Sequence, residues 1–280
     1  NSLNQRDIIV KTLNRMEGVM VEDRKITTIM ERHLETIDIS LDDMIKANFD
    51  HVSIHNFREN IRKFRALIYF YMPNIRPSDY RMIENVSKNY FLMTSLIREI
   101  DVFEIGYKNY MSDVTIERLK EIKEPLLVNL KNALKEASGF RFQQVKMSIR
   151  PFKENEKKGS CIMKRQCDLL RVFINREEEE FGEEKYIHAK RMIAKKLLYV
   201  HNILMPDEPR IRLINKELDL FQIKAKQVHD ACVNLRFIGQ YRLDDQALIA
   251  KIVHDHSLFT EHAAEQYDNT CKVIDQFLEK

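Results

Sequence analysis

Ile54–Tyr69 reads IHNFRENIRKFRALIY, and Ile187–Asn202 reads IHAKRMIAKKLLYVHN. Laid over each other, His55 meets His188, Arg58 meets Arg191, and Arg62-Lys63 meets Lys195-Lys196, at an offset of 133 positions. A second pair, LIREIDVFE (Leu96–Glu104) and QVHDACVNL (Gln227–Leu235), sets Arg98 against His229, 131 positions apart. Two landmarks in the same order at nearly one spacing indicate a chain built from two similar halves.

Outward from these segments, apolar residues recur at helical spacing almost everywhere. Ile26, Ile29, Met30, Leu34, Ile37, Leu41, Met44 and Ile45 form a stripe that closes near Asn48. A second helix opens near Asp50 and stops at Pro73. A third starts at Pro77-Ser78-Asp79 and runs through Phe91 and Leu96 to Gly106. A fourth spans Ser112 to Ser138, with Pro125 a point where it can kink and Gly139 as its C-cap. In the second half, Lys153–Ser160 (KENEKKGS) reads as a linker and Cys161 to Glu180 as a helix. Glu183 to Met205, Arg210 to Tyr241 and Asp244 to Lys280 complete the set, divided by Pro206, Pro209 and the turn before Asp244.

The reading is all-α: two four-helix bundles, over residues 25–138 and 139–280, with a further helical segment over residues 1–24. Composition agrees. Only 6 Gly and 6 Pro occur in 280 residues, well under the usual ~7% and ~5%, so turns are few and elements long. Hydrophobic residues make up 44% of the chain, enough for a sizeable core without disulfide or metal staples. The four cysteines, Cys161, Cys167, Cys232 and Cys271, form no CxxC pair and read as reduced core thiols. No secretory signal is evident at Asn1–Val10, and no apolar run approaches the ~20 residues that span a bilayer. A soluble, cytoplasmic protein without membrane contact is the expectation.

A net charge of +3 does not by itself call for a polyanionic partner, so an anion site must come from clustering. At about 100° per residue, His55, Arg58, Arg62 and Arg65 fall within roughly 80° of arc, and His51 shares that face. The second copy presents His188, Arg191 and Lys195, with Leu198 in the place of Arg65. Guanidinium forks on one face suit bidentate contact with phosphate oxygens. A single charged helix face is ordinarily solvated surface, and a repeated histidine can equally serve a hydrogen bond inside a bundle. Repetition of the whole face in one register favours a site. Gly139–Arg171 adds nine Lys or Arg, Lys164 and Arg165 among them, against three acids. Lys153, Lys157 and Lys158 in that stretch read as solvated linker. Arg98 and Asp101, three residues apart, read as an ion pair.

The arrangement resembles the CHAD family, the conserved histidine α-helical domain, over about residues 25–280. Its pattern of His, Arg three residues later, then basic residues is matched by His55, Arg58, Arg62, Lys63 and Arg65. Its Arg-x-x-Asp-Val element is matched by Arg98, Asp101 and Val102. The shorter second version is matched by His188, Arg191, Lys195, Lys196, Tyr199 and His229-Asp230. Leu198, Ser95, Glu99 and Ala225-Lys226 depart from the family's usual residues. The resemblance implies two bundles related by pseudo-twofold symmetry around a basic channel or cleft. It also implies binding of inorganic polyphosphate and, in some members, association with polyphosphate granules. The site residues then expected are His55, Arg58, Arg62, Lys63, Arg65, His188, Arg191, Lys195 and Lys196. His51, Arg98, His229, Lys164 and Arg165 are in support.

Catalysis finds little footing. The His229-Asp230 and His254-Asp255 pairs evoke metal-dependent phosphohydrolases, but those need further ligands converging on the metal. His256 leaves the face of His254, and His262 does not complete a set. No P-loop or dinucleotide fingerprint occurs. A triphosphatase barrel, which accompanies some CHAD regions, needs strands that this pattern lacks. The acidic run Glu177–Glu180 reads as solvated surface. The expectation is therefore a non-enzymatic binder of polyphosphate with no cofactor and no metal. The alternative is a helical scaffold that docks an acidic protein or RNA, although absence of Trp disfavours specific recognition of nucleic-acid bases.

Overall fold

A computed structural model describes residues 24–136, 142, 145, 146, 148, 158–175 and 183–278. Among these are nine α-helices, two short 3-10 turns and no strand. The helices are α1 (Arg24–Lys46), α2 (His51–Tyr71), α3 (Pro77–Met93), α4 (Ser95–Tyr107), α5 (Asp113–Glu136), α6 (Lys158–Ile174), α7 (Glu184–Leu204), α8 (Pro209–Tyr241) and α9 (Gln246–Leu278). The segment over residues 1–23, the C-cap at Gly139 and the run Glu177–Glu180 lie outside the described residues. None of the described helices is long and apolar enough to cross a membrane.

Local chemistry sets the ends of the helices. Asn48 and Phe49 take left-handed φ of 51° and 63°, and the Phe49 amide returns to the Met44 carbonyl at 2.9 Å. This turn sends the chain back along α1. Asp50 caps α2, accepting the Ser53 amide at 2.7 Å. Pro77 and Pro209 sit in the first turns of α3 and α8, where a missing N–H costs nothing. Asp245 precedes α9 and accepts the Leu248 amide at 3.2 Å. The same carboxylate takes the Ser112 amide and the Thr115 hydroxyl at the start of α5, at 2.9 and 3.0 Å. One side chain thus ties together two helix starts that are far apart in sequence.

Three element boundaries differ from the sequence reading. The helix expected from Pro77 to Gly106 is two helices, broken at Thr94. There the Thr94 and Ser95 hydroxyls bond back to the Phe91 carbonyl at 3.1 and 3.0 Å, competing with the helical ladder. The Arg58 guanidinium claims that carbonyl as well, at 2.6 Å. The first half therefore holds five helices instead of four. The helix from Cys161 begins earlier, at Lys158, taking up the end of the expected linker, and stops at Ile174 instead of Glu180. Its end is set by Lys190, whose amine donates to the Val172 and Asn175 carbonyls at 2.6 Å each. Pro125 is accommodated inside α5, which runs unbroken from Asp113 to Glu136.

The principal core joins Leu34, Phe57, Phe64 and Leu67 to Ile187, Leu197, Phe221 and Tyr267, all fully or nearly fully buried. A smaller core packs Ile100, Phe103 and Leu119 against Phe237, Leu248 and Ile252. Both draw on residues from the two halves of the chain. α8 and α9 form a long hairpin, α7 lies along α8, and α1 along α2. α2 and α7 pack directly on each other, so the two helices that carry the matching motifs are neighbours. Both are 21 residues long. Their first residues, His51 and Glu184, and their last, Tyr71 and Leu204, are each 133 positions apart.

Candidate anion-binding site

Where α2 meets α7, Arg62 is the centre of a cationic cluster. Its charge acts on Arg191 and Lys195 across the helix pair, on Arg58 and His55 along its own helix, and on Arg98 of α4. Lys226, from α8, acts on Lys195 and pairs with Asp230. The acids acting on this group are Glu59 and Asp230, with Asp101 at Arg98 and Glu99 at Arg58. Glu59 accepts Arg62 at 2.9 Å and the Tyr199 hydroxyl at 3.0 Å. Asp230 lies near Arg191 and Arg98.

The imbalance shows in the proton affinities. Burial, then the charges of Arg62 and Arg191, push the Lys195 amine down to about 8, against which Glu59 pulls weakly. Burial and Arg62 also lower Arg191, with Asp230 opposing. Arg98 is lowered by burial and by Arg62, with Asp101 and Asp230 opposing. Burial alone would raise Glu59, but Lys195, Tyr199, Arg62 and Lys63 outweigh it and hold the carboxyl below its ordinary range. Burial is the largest cause in each case. Among the charges, Asp230 and Asp101 outweigh Arg62 at Arg191 and Arg98, whereas at Lys195 the neighbouring cations lead, so an added anion would relieve the potential chiefly there.

Beside the cluster opens a cleft of about 480 Å³. Lys63 of α2, Lys195 of α7 and Arg212 and Lys216 of α8 line it, with Glu59 and Asp219 as its acids. Asn202, Asn215 and Gln222 add amide groups, and Leu198 is its apolar residue. A second cleft, of about 430 Å³, is lined by Arg98, Lys226 and Lys251 among more apolar walls that include Val102, Ile105 and Phe259. Members of the cationic cluster line both, Lys195 the first and Arg98 and Lys226 the second.

The fold brings Arg62, Arg191 and Lys195 together, with Arg98 beside them, Lys63 on the cleft wall and His55 exposed on the flank. It sends the other expected residues elsewhere. Arg58 is 6% exposed. Its guanidinium donates to the Phe91 carbonyl at 2.6 Å and to the Thr94 and Ser95 hydroxyls at 3.0 and 3.1 Å. It also lies over the Phe91 ring at 3.7 Å. Burial first, then Arg62, lowers its proton affinity to about 9, so it is a cation at neutral pH but is spent on the α3–α4 junction. Arg65 pairs with Glu84 of α3 at 2.9 Å. Lys196 and Arg165 lie over the Tyr69 ring at 4.2 and 4.5 Å, and Lys164 is exposed on α6.

His188 and His229 leave the cleft and stack on each other, ring centroids 4.5 Å apart. Burial lowers both, and His188, Arg191, Arg236 and Lys226 bring His229 down to about 3, so both rings are neutral near pH 7. His229 Nδ1 lies 3.4 Å from Glu184, outside hydrogen-bond geometry. His51 is exposed at the start of α2, its carbonyl 3.4 Å from Arg98. The ion pair read between Arg98 and Asp101 is not formed. Asp101 turns inward and pairs with Lys123 of α5 at 2.5 Å, because the 2%-exposed carboxylate faces the α4–α5 contact. Among the described residues, no three His, Cys, Asp or Glu side chains gather into a group able to hold a metal ion.

Glu59, Arg212, Lys216 and Lys226 were not among the expected site residues. Arg212 and Lys216 belong to one face of α8, four residues apart, and only the packing of α7 along α8 turns that face toward Lys195. No protein-family model and no curated relative matches the chain.

Proposed function

We propose that this chain binds inorganic polyphosphate, or a polyanion of similar charge density, in the cleft beside the α2–α7 contact, as a binding protein without catalysis. One observation carries the reading: Arg62 acts on Arg98, Arg191 and Lys195, and Lys226 acts on Lys195, with Glu59, Asp101 and Asp230 as the acids among them. Arginines supply directional forks and lysines diffuse charge, the combination that phosphate oxygens reward. The resemblance to the CHAD family and the equal lengths of α2 and α7 support the same reading. On it, the protein works in the cytoplasm beside polyphosphate granules, and CHAD membership is part of the proposal.

The test is binding of labelled polyphosphate at about 50 and about 200 mM salt, comparing the wild-type chain with Arg62→Ala. Affinity falls steeply with salt when several phosphates are neutralised, and removal of one contact lowers the log–log slope by roughly one. Arg62 is the residue to replace, since loss of Arg58 would disturb the fold. Absence of binding by the folded wild-type chain would overturn the reading. Competition with RNA separates it from the scaffold alternative: polyphosphate should displace RNA far better than RNA displaces polyphosphate.

A further inference from the structure

Lys195 belongs both to the cationic cluster, where Arg62 and Arg191 act on it, and to the lining of the cleft that it shares with Lys63 and Lys216. Among the described residues it has no carboxylate within ion-pairing distance, whereas Lys226 holds Asp230 and Lys190 is committed to two carbonyls. It nevertheless lines an open cleft, so its amine is within reach of a small solute. The groups facing it come from α2, α7 and α8. From α2 come Glu59, Arg62 and Lys63; from α7, Arg191 and Tyr199; from α8, Lys226 and, in the cleft lining, Arg212 and Lys216. The Tyr199 hydroxyl and Arg62 both donate to Glu59 Oε2, so the nearest carboxylate shares its charge with donors other than the amine. A lysine desolvated beside other cations is the environment that turns an ammonium into a nucleophile.

The geometry points to Lys195 as a modification site: an amine acylated by small acyl phosphates whose phosphate is held by Lys63, Arg212 and Lys216. This rests on the reading of the cleft as an anion site and adds a regulation to it. The neutral amine attacks the acyl carbon, a C–N bond forms, and the C–O bond to phosphate breaks with its electron pair leaving on the phosphate oxygen. The amine proton passes to that phosphate, which departs as hydrogen phosphate, and Lys195 remains as a neutral amide. The cleft thereby loses a cation at its centre, and affinity for a polyanion drops with it. The free amine is populated near neutral pH because burial, Arg62 and Arg191 bring its proton affinity to about 8.

The experiment treats the full chain with acetyl phosphate near pH 8 and follows each lysine by peptide mass spectrometry. Exposed Lys120 and Lys272 serve as internal references. Lys195 is expected to be acetylated on the order of tenfold faster than either, with inorganic phosphate slowing it selectively. Acetic anhydride, which carries no phosphate, should show a smaller preference. Acetylation of Lys195 no faster than the references overturns the inference, as does a preference that phosphate leaves unchanged and acetic anhydride reproduces. Polyphosphate binding by the unmodified protein is measured in parallel. Binding without a Lys195 preference sinks this inference and leaves the polyphosphate reading standing. A phosphate-sensitive Lys195 preference without polyphosphate binding does the reverse, leaving a cleft for small anions. Where both hold, acetylated protein should bind polyphosphate roughly fivefold more weakly.

Discussion

The Tyr199 hydroxyl on α7 donates to Glu59 Oε2 on α2 at 3.0 Å, and Arg62 donates to the same oxygen at 2.9 Å. This bond is a direct polar link across the helix pair that forms the candidate site. It also places a carboxylate of the chain where a phosphate oxygen would compete for the same donors.

Replacing that carboxylate should therefore help the ligand. Glu59→Gln keeps an acceptor for Tyr199 and removes the negative charge facing Arg62 and Lys195. Polyphosphate affinity is expected to rise roughly fivefold, about 1 kcal/mol, measured by titration at fixed ionic strength. Unchanged or weaker binding would show that Glu59 does not compete with the ligand.

Arg58 should report on the fold. It holds the end of α3 through three hydrogen bonds and lies flat on Phe91. Arg58→Ala is expected to cost about 2–4 kcal/mol in urea unfolding, since Thr94, Ser95 and a buried carbonyl lose a charged donor. Arg58→Lys should recover only part of this, lacking the planar fork. A stability loss under ~1 kcal/mol would place the role of Arg58 elsewhere.

His201 sets a pH response. It is fully buried, with Nδ1 2.7 Å from Asn215 Oδ1. Burial depresses its proton affinity from 6.5 to about 4, with Asn215 opposing. An unfolded chain takes up the proton near 6.5 and the folded chain only near 4, so the unfolded state binds more protons between those values. Stability is then full above about pH 6.5 and falls as pH drops through the window, by about 2 kcal/mol at pH ~5. Urea unfolding of wild-type and His201→Gln chains checks this: the substitution should flatten the profile. His229, lowered to about 3 chiefly by burial, acts in the same direction.

Asp245 joins the starts of α5 and α9. Asp245→Ala removes acceptors for the Ser112 and Leu248 amides and the Thr115 hydroxyl. A loss of about 1–3 kcal/mol is expected by thermal or urea unfolding. Asp245→Asn should lose less, because a carbonyl oxygen remains. Equal losses for the two would put the charge, not the acceptor geometry, in control.

Most of the described helices and their faces were legible in the sequence, because helical periodicity and Pro and Asp signals act over a few residues and are written locally. The break at Thr94, set by hydroxyls and Arg58 on the Phe91 carbonyl, was not. Asp50, Pro77 and Pro209 stand at helix starts, and His51–Tyr71 and Glu184–Leu204 are helices matched in length and offset. The sequence also placed Arg62, Arg191 and Lys195 on two basic faces. Which basic residues those faces keep for the cleft was decided by tertiary structure. Arg58 and Arg62 share one face, yet Arg58 turns into the α3–α4 break and Arg62 toward α7, since a buried carbonyl needs a donor at one place and not the other. Arg65 is taken by Glu84, and His188 by the ring of His229. Arg212, Lys216 and Lys226 join from α8, whose turn toward Lys195 depends on how α7 and α8 bury their apolar stripes. Charge on a face follows from local sequence; what meets that charge depends on long-range packing, in which each buried polar group must find its partner.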